Sequence, residues 1–373
     1  MKFPRYFHGI SMVLTIIIVL IFLSILILVH ELGHFLFAKK FGLLVEEFGM
    51  GLPPRIWKKK VGETIYSINS LPFGGFVKIH GENQQEDDLQ GEDIALRGRS
   101  FKDLAISKRA LIIFVGVLMN FIFGWLVISI VFAVGTSAGI IITQVSENTP
   151  AAEIGLQAND KILAVAVLGE VPDQIKNWNE FQKSEEFINF INQYRGEQIA
   201  LKVEREKEIL GFSVVPRINP PAGQGALGIQ LIEIGFPKQN LLNSFWSGLK
   251  SSLEITAAIF KALGALIAGV FTRTASWEAV AGPVGIVKVT AQVSSFGFIY
   301  LLQLLALISL NLAVINIFPF PALDGGRLLF LLIEKIKGSP LPIKFERYAN
   351  AFGMALLLTL MILITIKDVA RLF

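Results

Sequence analysis

The sequence predicts a polytopic α-helical membrane protein carrying one soluble α+β domain, and three observations support that prediction. Of 373 residues, 53% are hydrophobic and 17% are charged, against roughly 45–50% and 25% in soluble domains; the mean hydropathy is +0.59. Four mostly apolar runs reach the roughly 20 residues that a helix needs to cross a bilayer. Between the second and third runs, the long segment Gly135–Gly297 reads as soluble mass. The composition excludes disorder, collagen and coiled coil. A net charge of +4 suits a bilayer protein whose cytoplasmic loops gather Lys and Arg, so no nucleic-acid partner is implied. The chain has no cysteine, so any bound metal must be held by His, Asp, Glu or backbone oxygen.

The first span covers about residues 10–38: Met12–Val29 carries no charge, and Lys39-Lys40 close it. It is too long for a secretory signal peptide and lacks a small-residue cleavage site. After it comes the loop Leu43–Gly81, in which the strand-like Thr64–Ile68 precedes LPFGGFVKIHG. This predicts a β-hairpin in which Gly74-Gly75 permit close backbone approach. The second span is about 105–134, the third about Phe298–Phe318 and the fourth about Ala349–Ile366. Twelve Lys and Arg lie in Lys39–Arg109, and Arg327, Lys335, Lys337, Lys344 and Arg347 lie between spans three and four. Both clusters mark one side as cytoplasmic, leaving Gly135–Gly297 outside.

Within that outer segment, 138–217 alternates short strands (Gly139–Val145, Asp160–Val165, Gln198–Val203, Leu210–Val215) with turns. Glu185–Tyr194 sets Phe187, Ile188 and Ile191 at helical spacing. Asn219–Gly225, reading NPPAGQG, is a linker by its turn residues. Leu241–Val270 alternates apolar residues with Lys250, Glu254 and Lys261, which predicts a helix lying in the membrane interface. A fifth span over Ile255–Phe271 is the competing reading, interrupted by Lys261. The expected organisation is a membrane region 1–137, a soluble domain 138–217, a linker with an interfacial helix 218–297 and a membrane region 298–373.

The chemistry concentrates at His30-Glu31-Leu32-Gly33-His34, which matches H-E-x-x-H. On a helix, positions i and i+4 share a face, so both imidazoles can reach one ion, and Zn²⁺ accepts such nitrogens tetrahedrally. Glu31 can stand beside a metal-activated water as general base. These groups end an uncharged span, where unpaired ionisable side chains are costly and mark a functional site by default. Catalytic zinc takes three protein ligands. The best third candidate is Asp324, after the third span, where Pro319, Pro321, Gly325 and Gly326 break the helix. Broken helix at membrane depth is tolerated where it lines a cavity or protein interior. Asn316, polar in an apolar stretch, either donates to a substrate carbonyl or ties two helices together.

HELGH paired with NLAVINIFPFPALDGG resembles the site-2 protease family of intramembrane zinc metalloproteases. GGFVKIHGE (Gly74–Glu82), AGPVGI (Ala281–Ile286) and GRLLFLLIEKIKG (Gly326–Gly338) resemble segments of its bacterial, sigma-E-protease-like branch, and the likeness spans nearly the whole chain. The resemblance implies His30, His34 and Asp324 as Zn²⁺ ligands, Glu31 as catalytic base and Asn316 as an auxiliary active-site residue. It also implies a membrane-reentrant β-loop at about 43–81. Pro150–Leu156 through Asn159-Asp160-Lys161-Ile162 resembles a PDZ turn, with Asn159 where glycine is common; Asn tolerates the left-handed conformation better than most residues. The outer segment has room for one PDZ-like unit, whereas well-known members of this branch carry two, and His80 reads as a loop histidine. The implied protein is a metalloendopeptidase of the bacterial cytoplasmic (inner) membrane. Its active site would face the cytoplasm and its PDZ-like domain the outside. It would cleave transmembrane segments of single-span proteins such as anti-sigma factors or remnant signal peptides, with the lipid bilayer and membrane-protein substrates as partners. A catalytically silent scaffold presenting substrates through the PDZ-like domain is the alternative; an intact Glu31 argues against it, and the absence of an internal repeat argues against a transporter.

Overall fold

A computed structural model describes residues 12–82, 98–136, 139–168, 178–181, 183–205, 208–221, 223–272, 274 and 281–370. The expected start of the first span, near residue 10, lies outside them. The chain divides into two compact units, 1–131 with 241–373, and 132–240.

The first unit holds the long helices α1 (Met12–Lys40), α2 (Ile106–Val134), α5 (Leu241–Thr272), α7 (Phe298–Ile317) and α9 (Ile343–Ala370). All five are long and apolar enough to cross a membrane, so the chain is a multi-pass membrane protein. Sequence patterning predicts four spans, with Leu241–Val270 as one amphipathic helix and Ile255–Phe271 as the competing fifth span. α5 is one continuous 32-residue helix with Lys261 inside it, because a single Lys has high helix propensity and its long stem can carry its charge away from an apolar face.

Small residues let α1, α2 and α7 pack closely, as they do between membrane helices. A Cβ at Gly33 would lie 2.7 Å from Val115 O and 2.9 Å from Gly116 Cα. One at Gly124 would lie 2.8 Å from the Leu310 side chain, and Ser309 Oγ donates to Asn120 O at 2.7 Å. Phe22 and Leu26 of α1 pack with Leu301 and Leu305 of α7.

Between α1 and α2 lie β1 (Val45–Val61) and β2 (Thr64–Ile79). The sequence predicts a simple hairpin here, and the pairing is more involved. The distal halves pair across the Gly62-Glu63 turn, from Val61 with Thr64 to Arg55 with Asn69. The ribbon then doubles back, so the first residues of β1 pair twice: Phe48 meets Val77 and Tyr66, and Met50 meets Gly75 and Ile68. The bend falls at Gly51-Leu52-Pro53-Pro54, where two prolines remove ladder donors and Gly51 adopts φ +81°. Thr64–Ile68 is therefore interior to the folded ribbon, and Gly75–Ile79 forms one edge of it. Glu47 closes the fold: Arg55 Nη2 donates to both its oxygens, at 2.8 and 2.6 Å, and Ser67 Oγ donates at 2.5 Å. Phe48 and Tyr66 turn their rings to Phe35 of α1 at 5.1 and 6.1 Å.

Beyond α7, the chain turns through Phe318–Leu323 into α8 (Asp324–Lys337). Two charge pairs tie α8 down: Arg327 to Glu82 at the end of the folded ribbon (2.5 Å) and Glu334 to Arg109 of α2 (2.5 Å). The short α6 (Pro283–Ser294) is held at its first turn, where the Gly282 and Gly285 amides donate to Asp368 near the end of α9 at 2.8 and 2.9 Å.

The second unit is one antiparallel sheet in the order β6-β5-β4-β3-β7, comprising β3 (Gly139–Val145), β4 (Lys161–Val167), β5 (Ile199–Arg205), β6 (Glu208–Val214) and β7 (Ile229–Ile234). The short α3 (Pro150–Glu153) and α4 (Ser184–Gln193) complete it. Phe187 and Ile191 of α4 are buried with Ile140, Val165, Ile199 and Leu201 of the sheet. The Ser184 hydroxyl and amide both donate to Glu233 and hold its carboxyl below the usual range. Asn159 takes φ +75°, as expected where glycine is common. Sequence patterning assigns 218–297 to linker and interfacial helix. The sheet nevertheless gains β7 from that stretch, because the turn-rich residues before it close the strand back onto β3.

Candidate metal centre

His30 and His34 lie one turn apart near the C-terminal end of α1, and both are buried. Their rings meet edge to face at 4.8 Å, with the Nε2 atoms 3.2 Å apart. His34 Nδ1 donates to the Ile112 carbonyl of α2 at 2.9 Å, which fixes its tautomer and leaves the Nε2 lone pair pointing inward. A Cβ at Gly116 would overlap the His34 ring, so glycine there makes room for the imidazole.

Asp324 arrives from the far end of the sequence. Gly325 and Gly326 allow the turn that carries it, since a Cβ at either would collide with carbonyls at the end of α7, at Ile317 and Phe318 or at Phe320. Ala322 is held at φ +76°, a conformation costing a non-glycine residue roughly 1–2 kcal/mol, while its N–H donates to Asn350 Oδ1 of α9 at 3.0 Å. The turn delivers Asp324 Oδ2 to 2.9 Å from His30 Nε2 and 3.4 Å from His34 Nε2.

One atom from each of His30, His34 and Asp324 lies within 4.8 Å of the others. The remaining expected residues, Glu31 and Asn316, line the same cavity of about 290 Å³, together with His30, Asp324 and Asn120. His80 stands apart, with Nδ1 2.9 Å from Glu46. Two imidazole nitrogens and one carboxylate oxygen are a donor set of catalytic zinc. Asp324 Oδ2 is buried and faces the Nε2 atoms of both imidazoles, so the three candidate ligand atoms point at one another as they would around a shared ion. The residues fit the ion.

A family model for peptidase family M50 matches residues 18–360. The chain belongs to peptidase family M50. The family is that of the site-2 proteases, so the protein is a zinc metalloendopeptidase of the membrane. Its relatives include a zinc metalloprotease of Clostridium perfringens, CPE1693, 34% identical over 359 residues that cover 95% of this chain and 98% of the relative. Zinc metalloprotease RasP of Shouchella clausii is 30% identical over 436 residues, covering 96% and 99%. Regulator of sigma-W protease RasP of Bacillus subtilis is 28% identical over 436 residues, again 96% and 99%.

The sequence does not single out Asn120, buried on α2 with Nδ2 3.4 Å from His30 Nδ1. The available signal is a lone amide in the middle of the apolar run LIIFVGVLMNFIFGWLV, the kind of intramembrane polar residue that marks function.

Proposed function

We propose that this chain hydrolyses peptide bonds within membrane-embedded segments of single-span proteins, with His30, His34 and Asp324 holding Zn²⁺ and Glu31 as general base. The observation that carries this reading is the meeting of three ligand atoms within 4.8 Å of one another, beside a cavity lined by His30, Asp324 and Glu31. When bound, zinc supplies Lewis acidity that draws the pKa of water towards neutrality. Glu31 takes the proton from the attacking water and returns it to the leaving nitrogen. Asn316, on the same cavity wall, donates to the substrate carbonyl. A helical substrate hides its amides, so it must be drawn out into an extended form. The ribbon edge Gly75–Ile79 can hold such a segment by β-augmentation, because Gly75 lies beside the catalytic helix: a Cβ there would sit 3.7 Å from Glu31 Cγ.

Four of the five long helices cross the bilayer in this reading. α1 and α7 run in the same sense, since both bring their C-terminal ends to the ligand cluster. α2 runs against them, with Gly116 at His34 and Gly124 at Leu310. An even number of crossings must therefore separate α2 from α7. α5 alone would make one, and the 12 residues of α6 extend only about 18 Å, short of a hydrocarbon core of roughly 30 Å. Hence α5 lies along the interface. The Phe132–Asn240 unit is a PDZ-like domain on the extracytoplasmic side of the bacterial cytoplasmic membrane, where it and α5 sort substrates. The Bacillus subtilis relative's name, a regulator of sigma-W, makes membrane-anchored anti-sigma factors the first substrates to try, followed by remnant signal peptides.

The test is purified protein in bilayers, assayed on a single-span substrate. Glu31→Gln is expected to slow cleavage by about 10²- to 10⁴-fold, the usual contribution of a general base, with zinc content unchanged. Cleavage at the wild-type rate would remove Glu31 from its role, and full zinc content in Asp324→Ala would remove the third ligand.

A further inference from the structure

We infer that Asn120 is a positioning residue for the metal: its side-chain oxygen accepts the Nδ1 proton of His30 and so aims His30 Nε2 at the ion. This rests on the ligand assignment proposed above.

Each imidazole ligand has two ring nitrogens, and a metal takes the lone pair of one. The other then carries the proton and needs an acceptor, particularly where burial removes water as an alternative. For His34 the acceptor is the Ile112 carbonyl, 2.9 Å from Nδ1. For His30, whose Nε2 faces Asp324 and His34, the group at Nδ1 is the Asn120 amide at 3.4 Å. Its nitrogen end faces Nδ1, which would set donor against donor once Nε2 is a ligand. The other end, Oδ1, is buried and has no hydrogen-bond partner among the described residues. The two ends of an amide have nearly the same shape, and their orientation is decided by the hydrogen-bond network. Turning the amide over satisfies both groups at once: Oδ1 gains a donor, and Nδ1–H gains an acceptor.

The backbone is built to hold Asn120 there. The residue is 1% exposed, and its carbonyl is tied to α7 through Ser309 Oγ at 2.7 Å. One turn on, Gly124 receives Leu310 and Ala306 of the same helix. α2 therefore orients both metal-binding imidazoles, with a main-chain carbonyl for one and a side-chain amide for the other. Only the second can be changed by mutation.

The experiment measures zinc affinity of the full chain in detergent by competition with a chromogenic chelator, a readout independent of proteolysis. Asn120→Leu, similar in size but without an acceptor, should bind zinc about 10- to 100-fold more weakly, the usual effect of losing an outer-shell partner. Asn120→Asp keeps an acceptor and should restore affinity to within a few-fold of wild type; should it fail to fold, Asn120→Thr, which keeps an acceptor oxygen without charge, takes its place with the same expectation. Wild-type affinity in Asn120→Leu overturns the inference, as does equal loss in the acceptor-bearing variant. His30→Ala separates the two levels: if it retains zinc, the ligand assignment itself fails. If it loses zinc while Asn120→Leu does not, only the role of Asn120 fails.

Discussion

At the scale of single residues, the site depends as much on missing side chains as on those present. His34 occupies the space that a Cβ of Gly116 would fill, and Gly33 lets the α2 backbone approach. Gly116→Ala should therefore displace the imidazole and lose zinc in the chelator assay, although the substitution adds one methyl and raises helix propensity. Zinc affinity unchanged from wild type would show that the ring has somewhere else to go. HELGH is legible in sequence because i,i+4 spacing is a local property of helices. Asp324 is legible because Pro319, Pro321, Gly325 and Gly326 announce a break at membrane depth. Neither the Ile112 carbonyl nor Asn120 is legible in the same way, since each acquires its role only through a helix about 80 to 90 positions away in sequence, at separations of 78 and 90.

At the scale of elements, the long helices follow from apolar length, and α1, α2, α7 and α9 lie close to where composition places them. The folded ribbon does not. Its second set of partners, Phe48 with Tyr66 and Met50 with Ile68, depends on a bend at Gly51–Pro54 and on the buried Glu47–Arg55–Ser67 cluster, and strand alternation encodes neither. β7 escapes for a similar reason: six residues after a turn-rich stretch become a strand only because β3 offers an edge. The doubling-back leaves Gly75 between Gly49 O, Ile27 and Glu31, at 3.1, 3.5 and 3.7 Å from an added Cβ. Gly75→Val should therefore narrow the approach to Glu31. Cleavage should fall by about tenfold to a hundredfold, the scale of a misplaced reacting group, at unchanged zinc content. Undiminished cleavage would mean that substrate does not pass between this edge and α1.

For the whole molecule, crossing parity is the property to measure, and a chain without cysteine suits the measurement. Single cysteines at the exposed Lys59 and Glu208 are expected to react with an impermeant thiol reagent from opposite sides of the membrane. Cysteines replacing Lys250 and Lys261, both exposed on α5, should react from the Glu208 side. Reaction of Lys261→Cys from the Lys59 side would establish α5 as a span and require a return crossing before α7.

The three corners of the proposed metal-binding triangle do not rest on the same support. Two are neighbouring turns of one helix, so the distance between them is set by backbone geometry. The oxygen corner hangs from a strained turn whose Ala322 amide leans on Asn350 and whose Pro321 carbonyl abuts Gly353, both on the peripheral α9. Tilting that outer helix would therefore stretch the proposed triangle along two of its sides and leave the third untouched.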